Sequence, residues 1–167
     1  EEMTLEQKVG QLFLVRPDSL DLSQTQDQIN DAKADGVTEL TDAMRQTLAE
    51  YPVGGVVIFG KNLESPQQIT QFLDDLQQAS DTPLFTAIDE EGGLVARLAN
   101  NAAFDLPQYE SAAAVGTSGN PEDARAMGRT IGGYLKEYGF NLDFAPVADV
   151  NTNPDNPVIG TRAFSSE

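Results

Sequence analysis

The residues best suited to chemistry lie together in the run 89–97, where three acids are followed by two glycines and an arginine. An apolar segment, Leu84–Ile88, comes directly before the run and predicts a buried strand. In α/β proteins, ligand sites are built where parallel strands end. The glycines allow the backbone to turn sharply. Arg97 can therefore fold back beside Asp89 and present its planar set of donors.

Two further charged side chains are predicted close to strand ends. Asp149 follows the apolar segment 142–147, and Arg162 follows an Asn- and Pro-rich loop. Carboxylates accept hydrogen bonds from neighbouring hydroxyls, and guanidinium groups donate to oxygen atoms. Together with Asp89 and Arg97, these groups are suited to holding a sugar.

Structural roles are the alternative for the same residues. The pair of Asp89 and Arg97 can have the purely structural role of fixing the Gly-Gly loop. Asp149 can likewise cap a loop. Glu90 is expected to be solvated. Hard cations prefer carboxylates, but adjacent acids point in different directions and their spacing matches no calcium loop. We therefore predict no metal site in this run.

The composition excludes several classes of function. The 167 residues include 10 basic and 27 acidic side chains, for a net charge of −17. This balance argues against nucleic acid or anionic lipid as a partner, because both require a basic surface. No apolar run reaches the ~20 residues that span a bilayer. Cysteine and histidine are absent, so Ser-His-Asp catalysis and His-ligated zinc are excluded within this chain. No signal peptide is seen, and both a cytoplasmic and an exported location stay open.

Strands and helices alternate along the chain, which predicts a parallel α/β sheet. Strands are predicted at the end of Val9–Val15 and over Val53–Phe59, Leu84–Ile88 and Leu142–Val147. Helices are predicted from Thr4 and Ser65 and over Thr41–Glu50 and Pro121–Tyr138. Ala43, Met44 and Leu48 are expected on one side of their helix. In the helix that begins at Ser65, the residues expected to face a core are Ile69, Phe72, Leu73 and Leu76. The segment 18–34 is predicted as a loop or an exposed helix, and 100–119 as a loop.

Several segments resemble motifs of glycoside hydrolase family 3. Residues 88–97 resemble its Asp-x-Glu-Gly-Gly-x-Val-x-Arg motif, in the form typical of the β-N-acetylhexosaminidase branch. Residues 139–150 resemble its Gly-x-Asn-x-x-Phe-Ala-Pro-Val-x-Asp-Val strand. Residues 159–164 resemble its Ile-Gly-x-Arg-Ser-Phe motif, with Ala163 in place of the serine. Residues 4–12 and 54–62 are also similar to family segments, so the resemblance runs from end to end.

The resemblance implies an α/β fold of the (β/α)8 TIM-barrel type, with residues 1–167 as the N-terminal part of the barrel domain. It implies a retaining exo-β-N-acetylglucosaminidase that acts on terminal N-acetylhexosamine and uses no metal or organic cofactor. Asp89, Arg97 and Arg162 match the family's sugar-binding residues. The alternatives are a β-glucosidase of the same fold and a non-catalytic sugar-binding or interaction fragment.

The family's Lys-His-Phe-Pro-Gly-His-Gly motif does not occur in this sequence, and its nucleophile and acid/base residue lie farther downstream. We therefore expect the chain to carry part of the substrate site, no catalytic residue and no activity alone. Asp143 alternates with Phe144 in a predicted strand and is expected to point away from the strand-end rim. A barrel needs about 250 residues, so unpaired sheet edges and self-association of the fragment are expected.

Overall fold

The computed structural model describes residues 2–167. By its internal contacts the chain divides into two compact units. The first unit contains the residues up to Ile88 together with Tyr138–Leu142, and the second contains Asp89–Glu137 and Asp143–Glu167. Within residues 2–167, no helix combines the length and apolar character that crossing a membrane requires.

Helices and strands alternate in the first unit, as the sequence predicted. Its helices are α1 (Leu5–Gly10), α2 (Gln26–Asn30), α3 (Asp42–Glu50) and α4 (Pro66–Ala79). Its strands are β1 (Leu14–Val15), β2 (Gly55–Ile58) and β3 (Phe85–Ile88). Short 3₁₀ turns lie at Pro17–Leu20 and Gly60–Asn62. The segment 18–34 is therefore not one loop or one helix, because it contains a 3₁₀ turn followed by α2.

The second unit begins with a feature that the sequence analysis did not predict. Strands β4 (Glu90–Gly92) and β5 (Val95–Ala96) form an antiparallel pair. Helices α5 (Ala112–Gly116) and α6 (Pro121–Glu137) follow, and α5 lies in a segment predicted as a loop. Strand β6 (Leu142–Asp143) crosses from the first unit into the second, and a 3₁₀ turn lies at Gly160–Arg162.

The main sheet has four strands in the order β1-β2-β3-β6. Strand β2 pairs in parallel with β1 and β3, and Val56 lies opposite both Val15 and Thr86. The parallel α/β sheet predicted from the sequence is thus confirmed. Gly55 is required in β2 because a Cβ atom there would overlap the carbonyl oxygen of Phe85 on the neighbouring strand.

The last strand is shorter than predicted. The sequence indicated Leu142–Val147, but the strand covers only Leu142–Asp143. Pro146 lies within the predicted range, and proline has no amide hydrogen to donate to a ladder. The apolar run therefore leaves the sheet soon after Asp143.

Helices α3 and α4 supply much of the buried apolar surface of the first unit. The four predicted core residues of α4 are all buried, namely Ile69, Phe72, Leu73 and Leu76. Ser65 caps α4 by accepting from the Gln68 amide, as predicted. On α3, Met44 and Leu48 are buried. Ala43 is exposed and Thr47 is buried instead, because residues three and four apart share a helix face.

Candidate functional site

The β4–β5 hairpin brings the two ends of the acid–glycine–arginine run together. Asp89 comes directly before β4 and Arg97 directly after β5, and Glu90 lies opposite Ala96 in the register. Arg97 Nη2 therefore donates to Asp89 Oδ2 at 3.0 Å. The predicted return of Arg97 to Asp89 is confirmed. Both side chains remain partly accessible, with 34% of Arg97 and 27% of Asp89 exposed.

Two consecutive glycines make the hairpin turn. Gly92 and Gly93 have φ values of 85° and 71°, a region that residues with a side chain rarely adopt. Space is also lacking at Gly93, where a Cβ atom would lie 2.8 Å from Ser111 Cα and 2.9 Å from Glu110 O. At Gly92, a Cβ atom would overlap the methyl group of Met127. Backbone conformation and close packing thus both require glycine at this turn.

Glu90 is fully buried, so the expectation that it would be solvated was wrong. Its carboxylate accepts hydrogen bonds of 2.9 Å from the amides of Leu98 and Ala99. The Tyr134 hydroxyl donates a third hydrogen bond of 2.9 Å to Oε1. Burying a carboxylate is costly unless donors surround it, and these three donors satisfy that requirement. Glu90 therefore fixes the backbone that follows Arg97.

Glu91 holds Arg162 through two parallel hydrogen bonds. Arg162 Nε donates to Oε2 at 2.9 Å, and Nη2 donates to Oε1 at 2.6 Å. This bidentate geometry is the strongest form of an arginine–carboxylate pair. Hydrogen bonding to Glu91 raises the pKa of Arg162 above its usual value, and the charges of Asp149 and Asp89 act in the same direction. Arg162 is thus held by Glu91, and Asp149 is exposed.

Asp143 faces the acid run, contrary to the expectation that it would point away from it. Its Oδ1 accepts a 3.0 Å hydrogen bond from the amide of Glu90. The prediction relied on the alternation of side chains along a strand. It was wrong because β6 ends at Asp143, where alternation no longer sets the direction of the side chain. Burial raises the pKa of Asp143 to about 6, the hydrogen bond from the Glu90 amide opposes that shift, and the charges of Glu90, Asp89 and Glu91 add to it.

A cavity of about 410 Å³ lies beside these acids. Its polar lining consists of Glu90, Glu91 and Asp143, and α6 together with Phe164 supplies much of the apolar lining. Asp89, Arg97 and Arg162 are not part of that lining. The second unit therefore contains a mainly apolar cavity that the three predicted sugar-binding residues do not line. Across residues 2–167, no cluster of acidic side chains has the arrangement that a metal ion requires.

The comparisons with known proteins agree with the motifs in this sequence. The model of the family described as "Glycosyl hydrolase family 3 N terminal domain" matches residues 4–167. The chain belongs to glycoside hydrolase family 3. Its fold class is accordingly the α/β TIM-barrel type implied by the resemblance.

Relatives of this family 3 chain carry hexosaminidase names. It is 37% identical over 134 residues to beta-hexosaminidase A of Pseudoalteromonas piscicida, covering 77% of this chain and 22% of that protein. It is 33% identical to a beta-hexosaminidase of Thiobacillus denitrificans, covering 78% of this chain and 36% of that protein. The chain thus spans well under half the length of these curated relatives.

Solved structures give the same picture. A family 3 beta-N-acetylglucosaminidase from Paenibacillus sp. has a TM-score of 0.79 and 34% identity, over 98% of this chain and 28% of that one. A beta-N-acetylhexosaminidase from Beutenbergia cavernae has a TM-score of 0.73 and 27% identity, over 98% of this chain and 46% of that one.

Sequence patterns did not predict the residues that hold the acid run and Arg162 in place. Glu90 was expected to be solvated and Asp143 to point away, the pairing of Glu91 with Arg162 was not predicted, and Tyr134 was not considered. One signal was present for Tyr134. It recurs with Met127 and Ile131 on the buried face of α6, and a buried tyrosine hydroxyl requires a hydrogen-bond partner. No local pattern could have identified Glu91 as the partner of Arg162, 71 residues away.

Proposed function

We propose that this chain is the part of a retaining exo-β-N-acetylglucosaminidase that holds the terminal N-acetylhexosamine of its substrate. Asp89, Arg97 and Arg162 are the proposed sugar-binding residues, and the carbohydrate is the proposed partner. The match of the family model to residues 4–167 supports one continuous N-terminal portion of a barrel domain. The names of the relatives favour N-acetylhexosamine over glucose.

The observation that carries the proposal is the pairing of Asp89 with Arg97. A carboxylate has more acceptor sites than one arginine contact uses, so Asp89 can also accept from neighbouring sugar hydroxyls. Arg97 and Arg162 remain 34% and 23% exposed, which leaves part of each guanidinium accessible to a ligand. Buried acids hold the backbone after Arg97 and the guanidinium of Arg162. Such preorganisation reduces the entropy that binding would otherwise lose.

The test is hydrolysis by the gene product that contains this chain. We expect turnover of an aryl β-N-acetylglucosaminide and much less turnover of the matching aryl β-glucoside. Asp89→Ala should reduce kcat far more than it changes KM, because hydroxyl contacts tighten in the oxocarbenium-like transition state. Asp105→Asn, at an exposed carboxylate, is the control. A preference for the glucoside would favour the β-glucosidase alternative, and wild-type kinetics for Asp89→Ala would refute the proposed site.

A second assay addresses the alternative of a non-catalytic sugar-binding fragment. We propose that residues 1–167 alone do not hydrolyse glycosides. Retaining catalysis needs two carboxyl groups about 5–5.5 Å apart across the bond to be cleaved. Glu90 and Glu91 already accept hydrogen bonds from protein donors. Turnover by the 167-residue protein comparable to that of the longer gene product would contradict this assignment.

Self-association of the 167-residue protein remains a prediction. Strands β1 and β6 are the two ends of the sheet order, and an exposed edge strand offers unpaired backbone groups to a second chain. We expect light scattering to show dimers or larger species of the isolated 167-residue protein. A stable monomer would contradict the prediction.

A further inference from the structure

Asp89 and Arg97, the paired residues proposed to bind the sugar, share a structural feature. The residue that follows each of them donates a hydrogen bond from its backbone amide to a carboxylate. After Arg97, the amide of Leu98 donates to Glu90 at 2.9 Å. After Asp89, the amide of Glu90 donates to Asp143 at 3.0 Å. The family motifs name neither of these carboxylates as sugar-binding residues.

The hydrogen bond to Asp143 constrains Asp89 directly. The atoms from the α-carbon of Asp89 to that of Glu90 lie in one peptide plane. Fixing the direction of the Glu90 N–H therefore fixes the plane from which the Asp89 side chain departs. The side chain then has only a few staggered rotamers available, and Arg97 selects one by its 3.0 Å contact. Asp89 is thus held from its backbone and from its carboxylate.

We propose that Asp143 is a positioning residue for sugar binding, acting by holding the Asp89–Glu90 peptide group in the orientation that presents Asp89 to the ligand. This inference rests on the proposed function of Asp89. Asp143 acts only through the peptide group that follows Asp89, without contact to the sugar.

The charge around Asp143 gives this role a pH dependence. Asp89, Glu90 and Glu91 face it from the hairpin, and Tyr134 faces it from α6. Burial and these neighbouring charges raise the pKa of its carboxyl to about 6. An ionised carboxylate accepts from an N–H more strongly than a protonated carboxyl does. Acidification through about pH 6 should therefore loosen the peptide group and weaken sugar binding.

The experiment titrates N-acetylglucosamine into the complete gene product by calorimetry between pH 5 and pH 8. We expect wild-type affinity to fall as the pH drops through about 6. Asp143→Asn keeps an acceptor oxygen but cannot ionise, so near pH 7 it should bind the sugar within a few-fold of the wild type. Its affinity should change less with pH than that of the wild type. Asp143→Ala should bind about tenfold more weakly at pH 7, as expected for losing a hydrogen bond to a charged group.

Glu122→Gln is the matched control, because Glu122 is an exposed carboxylate of α6 in an ion pair with Arg125. It should reproduce the wild-type curve. Circular dichroism establishes whether Asp143→Ala is folded, and if it is not, the Asn variant alone decides. Identical pH curves for the wild type and Asp143→Asn would overturn the inference while leaving the proposed function intact. A wild-type protein that does not bind the sugar would overturn both.

Discussion

The hydroxyl of Tyr134 on α6 donates a 2.9 Å hydrogen bond to Oε1 of Glu90 in the hairpin, and both groups are buried. Glu90 lies next to Asp89 in the chain, so a helix residue supports the loop that carries the proposed sugar site. Burial and the charge of Glu90 raise the pKa of Tyr134 well above its usual value. The phenol therefore stays protonated at neutral pH and donates to Glu90.

Removing this hydroxyl should destabilise the protein. In Tyr134→Phe, Glu90 keeps its two amide donors but loses the third, and a hydrogen bond to a charged group contributes about 1.5–3 kcal/mol. We expect the midpoint of urea unfolding to fall by a corresponding amount. Tyr51→Phe is the control, because Tyr51 is 54% exposed. Equal unfolding midpoints for the two variants would show that the Tyr134–Glu90 contact contributes nothing to stability.

Substitutions at two glycines can distinguish the cost of a left-handed backbone from the cost of a steric overlap. Gly93→Ala adds a left-handed backbone penalty and a Cβ atom 2.8 Å from Ser111 Cα. Gly119 also has a positive φ, 63°, but a Cβ atom there would meet nothing within 4 Å. Gly119→Ala should therefore cost only the conformational penalty of about 1–2 kcal/mol, and Gly93→Ala should cost more. Thermal unfolding of the two variants measures the difference, and equal losses would exclude a packing role for Gly93.

The pairing of Glu91 with Arg162 should make arginine irreplaceable by lysine. A lysine ammonium carries the charge but cannot form two parallel hydrogen bonds with one carboxylate. We expect Arg162→Lys to weaken binding of N-acetylglucosamine by about tenfold, the loss that accompanies one charged hydrogen bond. Arg125→Lys is the control, because Arg125 makes a 3.2 Å surface ion pair that is mostly exposed. Unchanged affinity in Arg162→Lys would remove Arg162 from the proposed site.

Protein stability should depend on pH through Asp143. Burial raises its pKa from 3.8 to about 6 in the folded protein. Between these values the folded state binds more protons at this group than the unfolded state, so its contribution to the free energy of unfolding falls as the pH rises. Asp143→Asn lacks this titration. Urea unfolding should therefore show the Asn variant gaining stability relative to the wild type from pH 4 to pH 7, with little further change above. If the difference in unfolding free energy between the two proteins does not change with pH, the raised pKa of Asp143 is contradicted.

The same group that lowers stability at neutral pH is the one proposed to orient Asp89. Functional sites commonly retain such locally unfavourable groups. As the pH falls through about 6, the contribution of Asp143 to the free energy of unfolding should therefore rise while the affinity for the sugar falls.

Local sequence patterns predicted most of the fold, but they did not predict the residues that hold Asp89 and Arg97 in place. The strand before Asp89, the cap at Ser65 and the four core residues of α4 each have a short-range signal in the sequence. The assignments of Glu90 and Asp143 failed for a different reason. Whether an acid is solvated or buried depends on donors that the chain supplies from another segment, such as Tyr134, 44 residues from Glu90. Neither residue type nor spacing in one segment contains that information.

The Glu91–Arg162 pair can form only late in translation. Its two partners are separated by 71 residues, which corresponds to a delay of about 4–14 s at ribosomal speeds of about 5–20 residues per second. During that interval the carboxylate of Glu91 has no arginine partner. The nascent chain can pair β1, β2 and β3 early, but Glu91 gains its partner only when the 3₁₀ turn at Gly160–Arg162 emerges.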